Sequence, residues 1–332
     1  AAFLAIPVSQ AFSKDPLEKW SPSFDPSKAE FVYLLSCVGH PAIEGVAAGL
    51  KIRDRVWEES GGRIYVDFRP LSQLGGEKDV INKLKFGAVQ GMMSSSVAAA
   101  NIAPALGIVN LPYIVESFDK LERFRDNEQL WTPFRDAALS KGLQAIDFTG
   151  YGSYGWATTT PVANRAQAQG VNFRIAQAPV NIDVYKAWNL KFAVLPWPDV
   201  PQALQTGVID GLDHTPIVCN ITKKFTVAKH YTQLDYAQGL YVHIINERWL
   251  QKLPADLKEI FLKVVKEESA IARKLTKQQQ EEQIAAAKDA GVTFYQLSDE
   301  DKAAMIKDCE QVYDVWGKKI GKEYFDLVKN TL

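Results

Sequence analysis

"VPQALQTGVIDGLDHTP", Val200 to Pro216, is the stretch on which the fold turns. Its first half has the spacing of a short helix, and Gly207 stands where a helix stops. The apolar run "GVIDGLD" then reads as a strand that ends on Asp213, His214 and Thr215. "VINKLKFGAVQGMMSSS", Val80 to Ser96, has the same form: Val80, Leu84, Gly87, Val89 and Gly91 align with Val200, Leu204, Gly207, Ile209 and Gly211. The chain writes one helix-glycine-strand unit twice, each time with polar residues at the strand end.

Upstream of the first unit, "EFVYLLSCVG" reads as a buried strand with a glycine stop. Pro41 opens a helix with Ile43, Val46, Leu50 and Val56 on one face, ended by Gly61 and Gly62. "RIYVDFRP" is the next strand, followed by a helix over 76–86 and a strand over 88–93. Strands and helices in alternation predict a parallel sheet with covering helices. A second alternating series starts near 143. "LQAIDFTGYGSYGWATTT" reads as extended segments broken by glycines, "VNFRIA" and "LKFAVLP" as strands, and 180–188 and 198–206 as helices. A helical stretch runs from Pro254 to about Ala290, then "VTFYQLS" and two more helices close the chain.

In open α/β sheets, ligands bind beyond the carboxyl ends of the strands. Two such sheets facing each other aim Ser94–Ser96 and Asp213–Thr215 at one cleft. The competing explanation is ordinary strand-helix grammar with a coincidental match. The 332 residues, 47% hydrophobic, suit two lobes better than one. A formal net charge of -1 excludes the basic stripe of a nucleic-acid binder. No apolar run approaches the ~18–20 residues that span a bilayer. Residues 1–29 read as an N-terminal arm or a signal remnant, because "AAFLAIPVSQA" is an apolar run before a small-x-small site. Cys37, Cys219 and Cys309 match no zinc spacing and read as buried thiols. No metal or cofactor is expected, since Walker, dinucleotide and His/Glu metal patterns are all missing. An enzyme would have to work with His40, His214 and Asp213. Asp213 and His214 are strand neighbours, so their side chains are expected on opposite faces.

Several stretches together resemble the periplasmic solute-binding proteins of TRAP (tripartite ATP-independent periplasmic) transporters, the DctP-like group. They are "GRIYVDFRPLSQLGGEKDVINKLKFGAVQGM", "NLPYIV", "NERWLQKLP" and, best of all, "VNFRIAQAPVNIDVYKAWNLKFAVLPWPDVPQALQTGVIDG". The resemblance covers most of 30–320. It implies a two-lobed α/β periplasmic-binding-protein fold with a ligand cleft and a long connecting helix. It also implies closure on a ligand, docking on TRAP membrane permease subunits, and delivery without chemistry. The expected lobes are 30–153 with 240–280, and 154–239 with 281–332. The expected protein is a periplasmic monomer that binds a small-molecule carboxylate and no nucleic acid. A binding protein for an ABC permease or a sensor would have the same fold.

Arg174 is the main candidate for the ligand site. The resemblance gives the arginine of this strand a substrate carboxylate, and a guanidinium fork pairs carboxylates through two hydrogen bonds. The alternatives are a surface arginine or an internal ion pair. Trp156 stands where many members of the group carry a second arginine, which argues for a monocarboxylate with an apolar or aromatic part. A core tryptophan is the other reading. His214 is a candidate for a ligand hydroxyl, keto or amino group, or a histidine satisfied by backbone. His40 sits at the end of the first strand, before a helix start. Gln73, Ser95, Tyr113, Trp197 and Tyr236 are further candidates from loop position and side-chain character. His230 and His243 read as structural.

Overall fold

The computed structural model describes residues 18–332, so the apolar run that suggested a signal remnant lies outside the described residues. Nine strands form one sheet: β1 (Phe31–Cys37), β2 (Ile64–Arg69), β3 (Gly91–Ser95), β4 (Leu143–Thr158), β5 (Asn172–Ile175), β6 (Lys191–Val194), β7 (Gly211–His214), β8 (His230–Asn246) and β9 (Thr293–Gln296). Their order is β2-β1-β3-β8-β4-β7-β5-β6, with β9 paired to β8. β1 lies parallel to β2 and β3, and β5 lies parallel to β6 and β7, as alternating strands and helices require. Between these two parallel halves run β4 and β8, antiparallel to each other.

β4 and β8 belong to both lobes. Leu143–Gly150 pairs with Leu240–Asn246 on the side of β3, and Gly155–Thr158 pairs with His230–Gln233 on the side of β7. Where the strands cross between lobes, the register slips at Gly150/Gly152 and again at Ser153/Gly155. Gly152 has φ +103, a value that L side chains rarely adopt. An added Cβ at Gly239 would meet the Tyr151 ring at 2.2 Å. The glycines that break the β4 pattern therefore bend one continuous strand, where the sequence suggested separate segments.

The backbone groups freed by these slips are satisfied by a helix. In the helix Ala255–Asp289, Thr276 Oγ1 donates to the Gly150 carbonyl at 3.0 Å, and Gln280 Oε1 accepts from the Ser153 N–H at 2.6 Å. Gln279 reaches the start of the first-lobe helix, accepting from Glu44 N at 2.9 Å and donating to the Ala42 carbonyl at 2.8 Å. Further along, Gln283 accepts from Asn220 at 2.8 Å. The exposed polar face read from the sequence is in part a set of contacts to both lobes.

Several boundaries differ from expectation. The first-lobe helix is Glu44–Glu59, so Pro41 lies in a turn and does not open it. The third strand begins at Gly91, because residues 88–90 finish the turn after Gly87. Three helices close the chain: Asp299–Asp308, Glu310–Ile320 and Lys322–Thr331. The middle one touches both halves, through Tyr313 Oη to the Pro112 carbonyl (2.7 Å) and Trp316 Nε1 to Asp183 Oδ2 (3.0 Å).

A buried charge cluster fixes the long helix to β4. Asp147 is fully buried and accepts from Arg125 Nη2 at 2.7 Å and from Arg273 Nη1 at 2.9 Å; Arg273 Nε also holds Glu122 at 2.9 Å. Removing one partner strands the others in a dry environment, which costs about 3–5 kcal/mol. Asp147→Ala is therefore expected to lower the unfolding free energy by that amount in a denaturant titration. A loss under about 1 kcal/mol would show that water reaches the two arginines.

Candidate functional site

The two repeated units do converge. The first helix, Glu77–Phe86, ends on Gly87 at φ 77, and the second, Val200–Gln205, is followed by Gly207 at φ +71. Each strand runs into a side-chain cap on a short helix: Ser95 Oγ accepts from Ala98 N, and Thr215 Oγ1 accepts from Val218 N. The strand ends Ser95, Asp213 and His214 line one pocket between the lobes, together with Arg174 from β5, His40 after β1 and Trp197 after β6. The pocket encloses about 30 Å³ in this conformation.

Arg174 is nearly buried, and the turn after β6 holds it in place. Its Nε and Nη2 both donate to the Leu195 carbonyl, at 3.0 and 2.8 Å. Its guanidinium lies 5.5 Å from the centre of the Trp197 ring. Burial lowers its pKa, while Tyr154, Glu77 and Asp213 oppose that shift. Phe173, its strand neighbour, points to the other face and packs on Trp156, as strand alternation demands.

The two histidines are held alike. His40 Nδ1 accepts from Ala42 N at 3.1 Å, and His214 Nδ1 accepts from Thr215 N at 3.0 Å. A ring nitrogen that accepts carries no proton, so each neutral imidazole keeps its N–H on Nε2. Burial, then Arg174 and Lys224, push the His214 pKa well below its usual value. Burial and Lys19 lower that of His40.

Acidic residues complete the wall. Glu77 accepts from the Ser95 N–H at 2.6 Å and from Ser95 Oγ at 2.8 Å; burial raises its pKa against those bonds. Asp213 Oδ2 accepts from Tyr236 Oη at 2.7 Å and from Asn181 Nδ2 at 3.2 Å, whereas its Oδ1 is buried without a partner. Burial lifts the Asp213 pKa to about 7, against the pull of Tyr236 and Arg174. Asp213 and His214 both line the pocket, although alternation put them on opposite faces. His214 is the last residue of β7, where the pleat gives way to the helix cap.

Four candidate residues lie off the pocket wall. Trp156 is fully buried, donates from Nε1 to Tyr185 Oη at 2.9 Å, and packs against Phe173 and Trp188. It sits opposite Asp213 in the β4–β7 ladder, one layer behind the cleft. Gln73 is exposed and donates to the Pro70 carbonyl. Tyr113 is half-buried at φ 58, its backbone N–H on the Tyr236 carbonyl. Tyr236 touches the wall through Asp213, to which its hydroxyl donates, and through the Tyr154 ring 5.7 Å away. Conversely, Glu77, Asn181, Tyr151, Tyr154 and Tyr241 line the pocket and were not among the candidates. The acidic "GGEKDV" after a strand was the one legible signal for Glu77. His243 bonds Tyr33 Oη at 2.9 Å and His230 bonds Tyr295 Oη at 3.0 Å, away from the pocket. All three cysteines are buried and free.

Comparison with known proteins follows this geometry. The family described as "Bacterial extracellular solute-binding protein, family 7" matches residues 39–319. The chain belongs to that family, and its resemblance to the TRAP solute-binding proteins holds. It is 29% identical over 285 residues to the C4-dicarboxylate-binding periplasmic protein DctP of Rhodobacter capsulatus, covering 84% of each chain. A TRAP periplasmic solute-binding protein from Sulfurospirillum deleyianum, with bound succinate, superposes with a TM-score of 0.82 at 28% identity. That match covers 90% of this chain and 98% of the other. One from Desulfovibrio salexigens, with bound orotic acid, superposes with a TM-score of 0.85 at 20% identity, covering 90% and 97%. The two-lobed α/β architecture is that of these proteins, and the family is one of solute binding.

Two outcomes follow from the buried side chains. Asp213 ionises near 3.8 when unfolded and near 7 when folded. Between those values the folded state binds more protons, so this residue lowers stability as pH rises. Asp213→Asn removes that slope, so its melting temperature relative to wild type is expected to climb from pH 4 to about 7 and then level off. A constant difference across that range would show that Asp213 ionises normally. Trp156→Phe removes the bond to Tyr185 and part of the packed volume, and is expected to cost about 1–3 kcal/mol in a denaturant titration. Ligand preference, measured by calorimetry, is expected to stay unchanged.

Proposed function

We propose that this chain is a periplasmic solute-binding protein that captures a small organic acid and delivers it to TRAP-type membrane subunits. The preferred ligand is a monocarboxylate with an apolar part. The observation that carries this reading is the charge pattern of the pocket. Among the described residues, Arg174 is the one guanidinium on its wall, and Glu77 and Asp213 flank it. Lys224 is nearby but buried behind Thr222, with Nζ 3.2 Å from the Thr222 carbonyl and 4.9 Å from the Trp197 ring centre. One carboxylate finds a cationic partner at Arg174. A second would face carboxyl groups, and a desolvated, unpaired carboxylate is costly.

The R. capsulatus relative is named for C4-dicarboxylates and the S. deleyianum protein holds succinate. Both support a small acid as the ligand, and the wall described above argues for a different one here. Support for an apolar part shifts from Trp156 to Ile43, Val97, Val218 and Trp197, which line the pocket. A volume near 30 Å³ has room for about one or two waters, so the lobes separate to admit an acid and close over it. The same pocket serves a protein that feeds an ABC permease or a sensor, but the family favours the TRAP reading.

Arg174→Ala is expected to weaken binding of the cognate acid by about 2–5 kcal/mol in calorimetry. Arg174→Lys is expected to recover only part, because a point charge lacks the planar fork. Near-wild-type affinity in Arg174→Ala would place the anchor elsewhere. Tighter binding of succinate than of every monocarboxylate tested would overturn the monocarboxylate reading.

A further inference from the structure

The proposed carboxylate pocket contains an acceptor that a plain carboxylate does not use. Asp213 is 3% exposed, lines the pocket, and has one oxygen engaged and one without a partner. Both donors on Oδ2, Tyr236 Oη and Asn181 Nδ2, come from residues fixed by the fold: Tyr236 on β8 and Asn181 on the helix Pro179–Ala187. They lock the carboxyl in one orientation. A buried oxygen left unbonded is unfavourable, and native proteins seldom keep one without a reason. Two neighbours have partners already: Glu77 takes two bonds from Ser95, and Tyr151 and Tyr154 share one of 2.6 Å. Each histidine turns an Nε2–H, a donor, away from its own backbone contact. Oδ1 of Asp213 is thus the atom on this wall that asks for a donor.

We infer that Asp213 is a specificity-determining residue, whose Oδ1 receives a hydroxyl or ammonium hydrogen carried by the ligand beside the carboxylate that Arg174 holds. This rests on the pocket reading above and adds a second contact point. A 2-hydroxy or 2-amino acid fills both points. With Asp213 ionised, above pH about 7, a 2-oxo acid presents an oxygen to an oxygen and an unsubstituted acid leaves Oδ1 unsatisfied; below it a proton on Oδ1 removes that distinction. Sites built to bond a hydroxyl or N–H reject analogues lacking it far more strongly than apolar pockets reject a missing methylene.

The same geometry dictates what Asp213→Asn does. Tyr236 and Asn181 are both donors, so the asparagine turns its carbonyl oxygen to them. Its amide nitrogen then stands where Oδ1 was, and a donor replaces an acceptor. Preference is expected to invert, toward 2-oxo acids.

The test is calorimetry at about pH 8.5, where Asp213 is ionised, on wild type, Asp213→Asn and Arg174→Ala. The probes are matched sets of 2-hydroxy, 2-amino, 2-oxo and unsubstituted acids on propanoate, 4-methylpentanoate, 3-phenylpropanoate and succinate skeletons. On the skeleton that binds best, the 2-hydroxy or 2-amino form is expected to bind at least tenfold tighter than the 2-oxo form. Which of the two wins identifies the donor. Asp213→Asn is expected to reverse the order. If wild type binds the 2-oxo form as tightly as both donor-bearing forms while Arg174→Ala abolishes binding, this inference falls and the carboxylate anchor stands. An unchanged order in Asp213→Asn also overturns it. If Arg174→Ala binds like wild type, or if no acid of any set binds, the pocket reading falls and this inference with it.

Discussion

The backbone ladder between β4 and β8 constrains everything else in the molecule. Both strands are long enough to serve two lobes, and each pairs with a different neighbour on either side of the crossing. The register between them slips at Ala145/Asp147, Gly150/Gly152 and Ser153/Gly155, and the last two slips lie where the strands pass from one lobe to the other. The pocket lies beside this crossing, where Tyr151 and Tyr154 leave β4 and Tyr241 leaves β8. The site's geometry and the join between the lobes thus depend on the same few residues.

The long helix Ala255–Asp289 acts on that crossing with polar groups. Thr276 and Gln280 bond backbone atoms that a regular ladder would have satisfied, and Gln279 bonds the turn before the first-lobe helix. Such bonds contribute roughly 1 kcal/mol each. The Asp147 cluster behaves differently: its arginines and carboxylate are buried together and hold the helix against the first half of β4.

Much of this was legible in the sequence, and the failures have definite causes. The two helix-glycine-strand units read correctly because apolar periodicity and a left-handed glycine are local signals. Arg174, His40, Ser95, Trp197 and His214 were placed at strand ends, and strand ends do meet in one pocket. β8 was not read as a strand. It is buried on both faces from Tyr236 to Asn246, so it lacks alternation, and Gly239 and His243 interrupt its apolar run. Trp156 was assigned to the cleft by position in the chain, which says nothing about depth. Its ring turns to Tyr185, behind the wall that Asp213 forms. Asp213 was aimed at the cleft but not named as a ligand contact, and Glu77 was not singled out at all. Only the partners of each oxygen, which sequence does not display, reveal what those residues are available to do.

The grip of the Leu195 carbonyl on Arg174 has a thermodynamic consequence. A free arginine side chain has about 2 kcal/mol of rotamer entropy to lose when it is ordered. Here two hydrogen bonds from its own guanidinium and the neighbouring Trp197 ring order it through contacts within the protein. That loss is charged to folding, and association is spared it. On the proposed reading of Arg174 as the carboxylate anchor, the Leu195 carbonyl contributes to recognition by orienting it, while Trp197 in the same turn after β6 lines the pocket. Loosening that turn would weaken binding through disorder in the empty state, with every contact of the complex left intact.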